Sequence, residues 1–234
     1  TVESFASEHL DPGNFGFDAA VEFQPDWTNL GKSSDRHPGL HVFEYGEIVK
    51  NMMKKHPPGY MRFPSVTPSW DNSPRRGKDG YILHNSKPGI YEKWLRHAIS
   101  SVGENIPDER IVFINAWNEW GEGNYLEPDQ KNGHGYLHAT NRALTIGYSE
   151  AAQIEELTEK AVNELNEGNT AAAERLFIEA LDHDPFASET LHKYAILQFQ
   201  QGKFSEAILT IKRALHIDPG NAEFHNDLGA MYHA

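Results

Sequence analysis

Two rhythms of apolar and polar positions divide the chain near Gly147. Before it, short apolar runs alternate with amphipathic stretches and loops rich in Gly and Pro. The runs at 17–23, 60–66 and 110–116 have the length and the branched and aromatic content of strands. The stretches at 43–55, 89–102 and 134–147 place apolar residues at helical spacing. The clearest stripe is Ile90, Trp94, Leu95, Ala98 and Ile99, with Pro88 at the helix entrance, where its missing N–H costs nothing. Strand then helix, three times over, predicts a parallel sheet with crossover helices, open or closed into a barrel.

After Gly147 the spacing is helical throughout, and the segment matches itself at a shift of 34 residues. Gly168 falls on Gly202, Ala173 on Ala207, Ala180 on Ala214 and Pro185 on Pro219. This segment resembles the tetratricopeptide repeat, whose period is 34. Small Ala residues let paired helices approach, Gly permits a tight turn, and Pro ends each second helix. Repeats are expected at about 154–187 and 188–221, with a partial third over 222–234 that keeps Leu228, Gly229 and Tyr232 in pattern. Fewer than about three repeats cannot bury a continuous core, so the array is expected to continue past Ala234. The start, Thr1-Val2-Glu3-Ser4-Phe5, has no initiator Met, basic start or apolar signal core, and reads as the interior of a longer protein. Such arrays expose a concave face to peptides or partner domains, so a protein partner is expected here.

Composition sharpens the division. All five Trp, 15 of 19 Gly and 11 of 13 Pro precede residue 148. Lys and Arg number 15 against 19 Asp and Glu up to Gly147, and 6 against 15 beyond it, for a net charge of −13. A chain this acidic lacks the clustered cations that neutralise phosphates, so no nucleic-acid partner is expected. The absence of Cys excludes disulfides, thiolate metal sites and thiol chemistry. Apolar runs such as Ile111-Val112-Phe113-Ile114 fall far short of the ~20 residues that span a bilayer. No Gly-rich phosphate loop and no dinucleotide fingerprint is present, so no cofactor is predicted. His134 and His138 have i, i+4 spacing, but no third ligand is marked, and no metal is predicted.

In both βα architectures the site lies where the strands end. Three loops are therefore expected to converge, containing Glu22 to Trp27, Thr67 to Arg76, and Trp117 to Gly123. Each brings an aromatic ring together with a carboxylate. Flat aromatic faces beside acids and amides suit a sugar, which offers a C–H face for stacking and hydroxyls for hydrogen bonding. Candidate binding residues are Glu22, Trp70, Asp71, Asn72, Arg75, Trp117, Asn118, Trp120 and Tyr125. Arg75 and Arg76 have two readings, a clamp for a phosphate or uronate and a brace for Asp71. Lys50, Lys54, Lys55 and His56 close the helix at 43–55 and suit its C-terminal dipole.

Glu119 and Glu122 are the sharpest pair. Two carboxyls three residues apart can face one cavity, where crowding raises one pKa and supplies an acid beside a base. Glycosidic chemistry needs such a pair. The competing reading has Glu119 capping a helix or pairing with Arg62, Arg75 or Arg110, and Glu122 solvated.

The run Phe113-Ile114-Asn115-Ala116-Trp117-Asn118-Glu119-Trp120-Gly121-Glu122-Gly123-Asn124-Tyr125-Leu126-Glu127-Pro128 resembles the signature of the WbsX family, glycoside hydrolase family 99-like proteins of polysaccharide and lipopolysaccharide biosynthesis. Gly16 to Phe23 and Thr67 to Arg76 resemble two further blocks, so the likeness covers roughly 12–147. It implies the C-terminal part of a (β/α)8 barrel over 1–147, followed by the helical repeats at 148–234. It also implies action on α-linked glycans, with Glu119 assisting attack by the sugar 2-hydroxyl on its own anomeric carbon and Glu122 protonating the leaving oxygen. Gly121 departs from the related mannosidases, which tend to carry His there. The whole protein is expected to be a glycoside hydrolase or glycosyltransferase, and this stretch alone inactive, since three strand-helix units cannot close a barrel. The alternative is a glycan-binding or scaffold protein without catalysis that recruits partners through its repeats. Biosynthetic relatives and the lack of Cys suit a bacterial cytoplasm.

Overall fold

The computed structural model describes residues 11–34 and 39–233. The opening pentapeptide and Ala234 lie outside them. The chain forms two compact units, one running through Glu127 and taking in Ala139–Leu144, the other comprising Pro128–His138 and the residues from Thr145 on.

In the first unit β1 (Ala20–Val21) runs parallel to β3 (Arg62–Phe63), β2 (His41–Glu44) to β5 (Tyr81–His84), and β4 (Ser65–Val66) to β6 (Phe113–Ile114). A hairpin pairs β7 (Asn118–Glu119) with antiparallel β8 (Asn124–Tyr125). Carbonyl directions show how the three expected strands lie. Met61 and Phe63 accept from the amides of Ala20 and Glu22, whereas Pro64 and Val66 accept from Phe113 and Asn115. Alternate carbonyls point to opposite edges, so the 61–66 segment has β1 on one side and β6 on the other. Pro64 lacks an N–H and interrupts the ladder between β3 and β4. The sheets are small and do not close into a barrel among the described residues; this part is mixed α/β.

The stretch at 43–55 differs from a continuous helix. Val42 and Phe43 are buried in β2, and the chain passes at once into α1 (Tyr45–Met53). That helix buries Tyr45, Ile48, Val49 and Met52, the i, i+3, i+4, i+7 set of one face. In α3 (Pro88–Ser101) the same set is Tyr91, Trp94, Leu95 and Ala98. Tyr91 thus takes the place expected of Ile90, because its hydroxyl reaches Thr140 Oγ1 at 3.0 Å while its ring fills the core. Burial pushes its phenol well up. The Tyr45 hydroxyl donates to the carbonyl of Thr67 at 2.6 Å, anchoring the start of the second loop. Ala139 and Ala143 of α4 (Gly135–Thr145) are buried, and Arg142 joins Arg96 on the Glu92 carboxylate.

The second unit carries α5 (Tyr148–Asn166), α6 (Thr170–His183), α7 (Ser188–Gln200), α8 (Phe204–Ile217) and α9 (Ala222–His233). Each marker falls where its chemistry requires. Gly168 and Gly202 adopt φ of 85° and 77°, ending α5 and α7, and Pro185 and Pro219 follow the ends of α6 and α8 by two residues. Ala173, Ala180, Ala207 and Ala214 are fully buried. Around them pack Phe177 with Ala161 and Leu197, and Leu191, Ile211 and Phe224 with one another. The fold is a mixed α/β part followed by a helical repeat.

Candidate functional site

Two of the three loops are laced together by hydrogen bonds. The Asp71 amide donates to the Glu122 carbonyl at 2.7 Å, the Ser69 hydroxyl to the Gly123 carbonyl at 2.6 Å, and the Thr67 hydroxyl to Asn124 Oδ1 at 2.8 Å. Gly123 is required twice over, by its φ of 58° and because a Cβ there would stand 2.9 Å from the Asp71 nitrogen. Asp71 then turns its carboxylate to the Ser73 amide at 2.9 Å, an Asx turn just ahead of α2 (Ser73–Arg76). That short helix returns Arg75 to the hairpin.

Arg75 is the meeting point of the two acids. Its Nη1 lies 3.2 Å from Glu122 Oε1 and 3.8 Å from Glu119 Oε1. Partial burial pushes the Glu122 carboxyl up, Arg75 pulls it down, and Glu119 pushes it up again, with a net rise. Gly121 leaves room for this arrangement. A Cβ there would meet Glu119 Oε1 at 3.1 Å and Arg75 Cδ at 3.3 Å, so a larger residue must push on the pair.

Beside the acids stands an aromatic platform. Trp120 stacks on Tyr125 with centroids 3.7 Å apart, and its indole N–H donates to Glu127 Oε2 at 2.6 Å. Trp117 and Trp120 are 52% and 49% exposed, unusual for indoles without a covering surface. The Trp117 carbonyl accepts from the amides of Leu126 and Glu127, which fixes the hairpin base, and Asn118 pairs with Tyr125 across it. The grip of Glu127 on Trp120 has no marker in the sequence.

The remaining candidates lie deeper. Glu22 is buried against the Lys55 ammonium at 2.8 Å, Arg62 at 3.8 Å and the Ser65 amide at 3.3 Å. Lys55 also reaches Asp26 at 2.5 Å, so it neutralises an internal acid pair where the sequence suggested a dipole partner. Burial opposes its charge, but Glu22 and Asp26 outweigh that and hold its pKa up. Trp70 is buried edge-on to Trp27, 5.3 Å between centroids, with its indole N–H unpaired. Asn72 is buried and accepts from the Tyr81 amide at 2.7 Å, while Arg76 lies over the Tyr81 ring. The first loop is tied to the third from beneath, where Asn115 Nδ2 donates to the Gln24 carbonyl at 2.6 Å. His134 and His138 hold their rings 6.3 Å apart, and no third ligand joins them among the described residues.

An α/β unit whose loops gather two carboxylates, a guanidinium and open indoles, followed in the chain by paired repeat helices, defines a two-part protein: a domain with a polar loop face and a module of the type that binds other proteins. The chain belongs to the WbsX glycosyltransferase family, whose model matches residues 1–140, and a tetratricopeptide repeat model matches residues 164–230. It is 39% identical over 154 residues to the uncharacterized protein WxcX of Xanthomonas campestris pv. campestris strain B100, covering 63% of this chain and 22% of that protein. Against WxcX of strain ATCC 33913 the identity is 38% over the same length. The chain thus spans about a fifth of the length of these relatives. Its N-terminal part is therefore WbsX glycosyltransferase-like. Among the described residues no helix is long and apolar enough to cross a membrane.

Proposed function

We propose that the protein acts at the anomeric carbon of α-linked glycans in surface polysaccharide metabolism, with Glu119 as base and Glu122 as acid. Residues 1–147 are read as the later strands of a (β/α)8 barrel, with 148–234 as the module that recruits a partner protein. One observation carries this reading: two carboxylates converge on Arg75 beside exposed indoles, and the one with the raised pKa is the residue assigned as acid. Its raised affinity for a proton suits Glu122 to protonate a leaving oxygen, while Glu119 draws the proton from the attacking hydroxyl. The Trp120 face offers a stacking surface to the pyranose, and Trp117 a second one nearby in sequence. Water as acceptor gives hydrolysis; a sugar hydroxyl gives chain growth.

The test uses the whole protein with α-linked oligosaccharides, scoring both new reducing ends and elongated product. Glu119→Gln and Glu122→Gln are each expected to lower turnover by about 10²–10⁴-fold, the usual worth of a positioned acid or base. Unchanged turnover in both variants overturns the assignment. A second reading, glycan recognition without chemistry, is favoured by Arg75 already engaging both acids. It requires glycan affinity that survives both substitutions, with no turnover in wild type.

A further inference from the structure

We infer that the repeat unit holds a divalent transition-metal site built from His192 on α7 and from Glu223 and Asp227 on α9. The three ligand atoms all lie within 4.8 Å of one another, and His192 Nε2 is already 2.7 Å from Asp227 Oδ2. Glu223 and Asp227 stand one helical turn apart on the same face of α9, the i, i+4 spacing that lets two side chains of one helix share an ion. His192 is 1% exposed, Asp227 part-buried and Glu223 open to solvent, so the cluster has a fixed inner ligand and a solvent entrance.

The charge balance favours a cation. No Lys or Arg lies within ion-pair distance of Glu223 or Asp227 among the described residues, although acids elsewhere in the same unit, such as Glu174 and Glu156, have their lysines. The imidazole is packed against the Phe224 ring at 4.5 Å, which fixes its plane. Its Nδ1 is buried without a hydrogen-bond partner. Moving the ring proton from Nε2 to Nδ1 therefore breaks no bond on that side and frees the Nε2 lone pair for a metal. Bonds of ~2.0–2.2 Å to nitrogen and oxygen put tetrahedral ligands ~3.4 Å apart. His192 and Asp227 open slightly to reach that spacing, and the exposed Glu223 side chain closes by rotation alone.

One imidazole with two carboxylates suits Zn²⁺ or Co²⁺, with water at the fourth position, over the oxygen-seeking Mg²⁺ and Ca²⁺. Such an ion would clip α7 to α9, the first helices of two successive repeats. This inference does not depend on the glycan reading.

The test is calorimetric titration of the 234-residue chain with Zn²⁺, together with the visible spectrum of its Co²⁺ complex. One equivalent is expected to bind with micromolar affinity, giving the absorption bands of tetrahedral Co²⁺ and a raised Tm that millimolar Mg²⁺ does not reproduce. Asp227→Asn is expected to weaken binding by about 100-fold or more and Glu223→Gln by about 10-fold, with His138→Ala as a control that changes nothing. Glu223 is exposed, so its variant tests the site without threatening the fold. Affinity weaker than millimolar, or affinity unchanged in the Glu223→Gln and Asp227→Asn double variant, overturns the proposal. So does a loss in His138→Ala as large as in Asp227→Asn, which would place the ion among other histidines.

Discussion

The turns of the repeat unit and the acid hairpin of the α/β unit use the same residue type in different ways. Gly168 and Gly202 sit at φ of 85° and 77° with no heavy atom within 4 Å of a built Cβ; they serve the backbone turn and nothing else. Gly123 has a comparable φ of 58°, but a side chain there would also press on the Asp71 backbone from 2.9 Å. The same doubling applies to Glu122, whose carboxylate holds Arg75 while its carbonyl accepts from Asp71. In the repeat, marker positions such as Gly168 and Ala173 have one task, performed again 34 residues on. In the hairpin, Gly123 and Glu122 each meet more than one demand, and those demands come from a loop some fifty residues earlier. Damage in the repeat should therefore scale with what is removed locally, whereas damage in the hairpin should spread across both loops.

The largest effect is expected where a single task is a large one. Phe177 is fully buried among Ala161, Ala173 and Leu197, and Phe177→Ala should cost about 3–5 kcal/mol by loss of transfer energy and by the cavity left behind. Trp117→Ala, which removes a larger ring from an exposed position, should shift stability by no more than about 0.5 kcal/mol. Urea midpoints followed by far-ultraviolet dichroism measure both. A comparable loss in the two variants would mean that the Trp117 face is covered in solution.

The glycines give the next contrast. Gly202→Ala pays only for the left-handed backbone, roughly 1–2 kcal/mol. Gly123→Ala pays that and the crowding against Asp71, a further cost of about 1–3 kcal/mol. If the proposed glycan chemistry holds, it should also lower turnover in the whole protein, because Arg75 stands on α2, which follows Asp71. Equal losses of stability in the two variants would show that the Asp71 loop yields, and that the two loops are not locked together.

What could be read from the sequence follows the same division. The repeat was legible because its markers recur: no single Ala announces burial, but Ala173 and Ala207 at a fixed shift do. The faces of α1 and α3 were legible from 3.6-residue periodicity, and the three predicted strands contain β1, β3 with β4, and β6, which lie side by side. Four-residue β2 and β5 were missed, since so short a run has no periodicity to separate it from a loop or helix start. In the loops, residue type identified the chemistry but not its direction. Arg75, Glu119, Glu122, Trp120 and Tyr125 come together, whereas Glu22, Trp70 and Asn72, drawn from the same loops, turn inward. Which way a loop side chain points depends on partners such as Lys55 and Tyr81, which lie 33 and 9 residues away and carry no local mark. The approach of His192 to Asp227 across 35 residues is of the same kind.

The smallest expected effect tests the sign of two carboxyls. Glu174 accepts from Lys203 at 2.8 Å, from Gln201 at 3.1 Å and from the Tyr194 hydroxyl at 3.4 Å. The bonds from Lys203 and Gln201 hold its carboxyl below the ordinary 4.5, against a smaller opposing effect of burial. A carboxyl lowered in the folded state adds stability above its unfolded pKa and loses it as pH falls through the folded one. Glu122 runs the other way: raised by burial, it favours the folded state while protonated, and that contribution fades as pH rises through its folded pKa. Both groups are partly open to water, so each slope should be shallow. Melting temperature measured from pH 3 to 7 should lose part of its acid-side decline in Glu174→Gln. In Glu122→Gln it should instead gain slightly toward neutral pH, since burial disfavours the charged carboxylate that Gln cannot form. A loss at neutral pH in Glu122→Gln that vanishes at acid pH would mean that Arg75 outweighs burial at that carboxyl, which would then be a poor proton donor and a better fit to recognition than to catalysis.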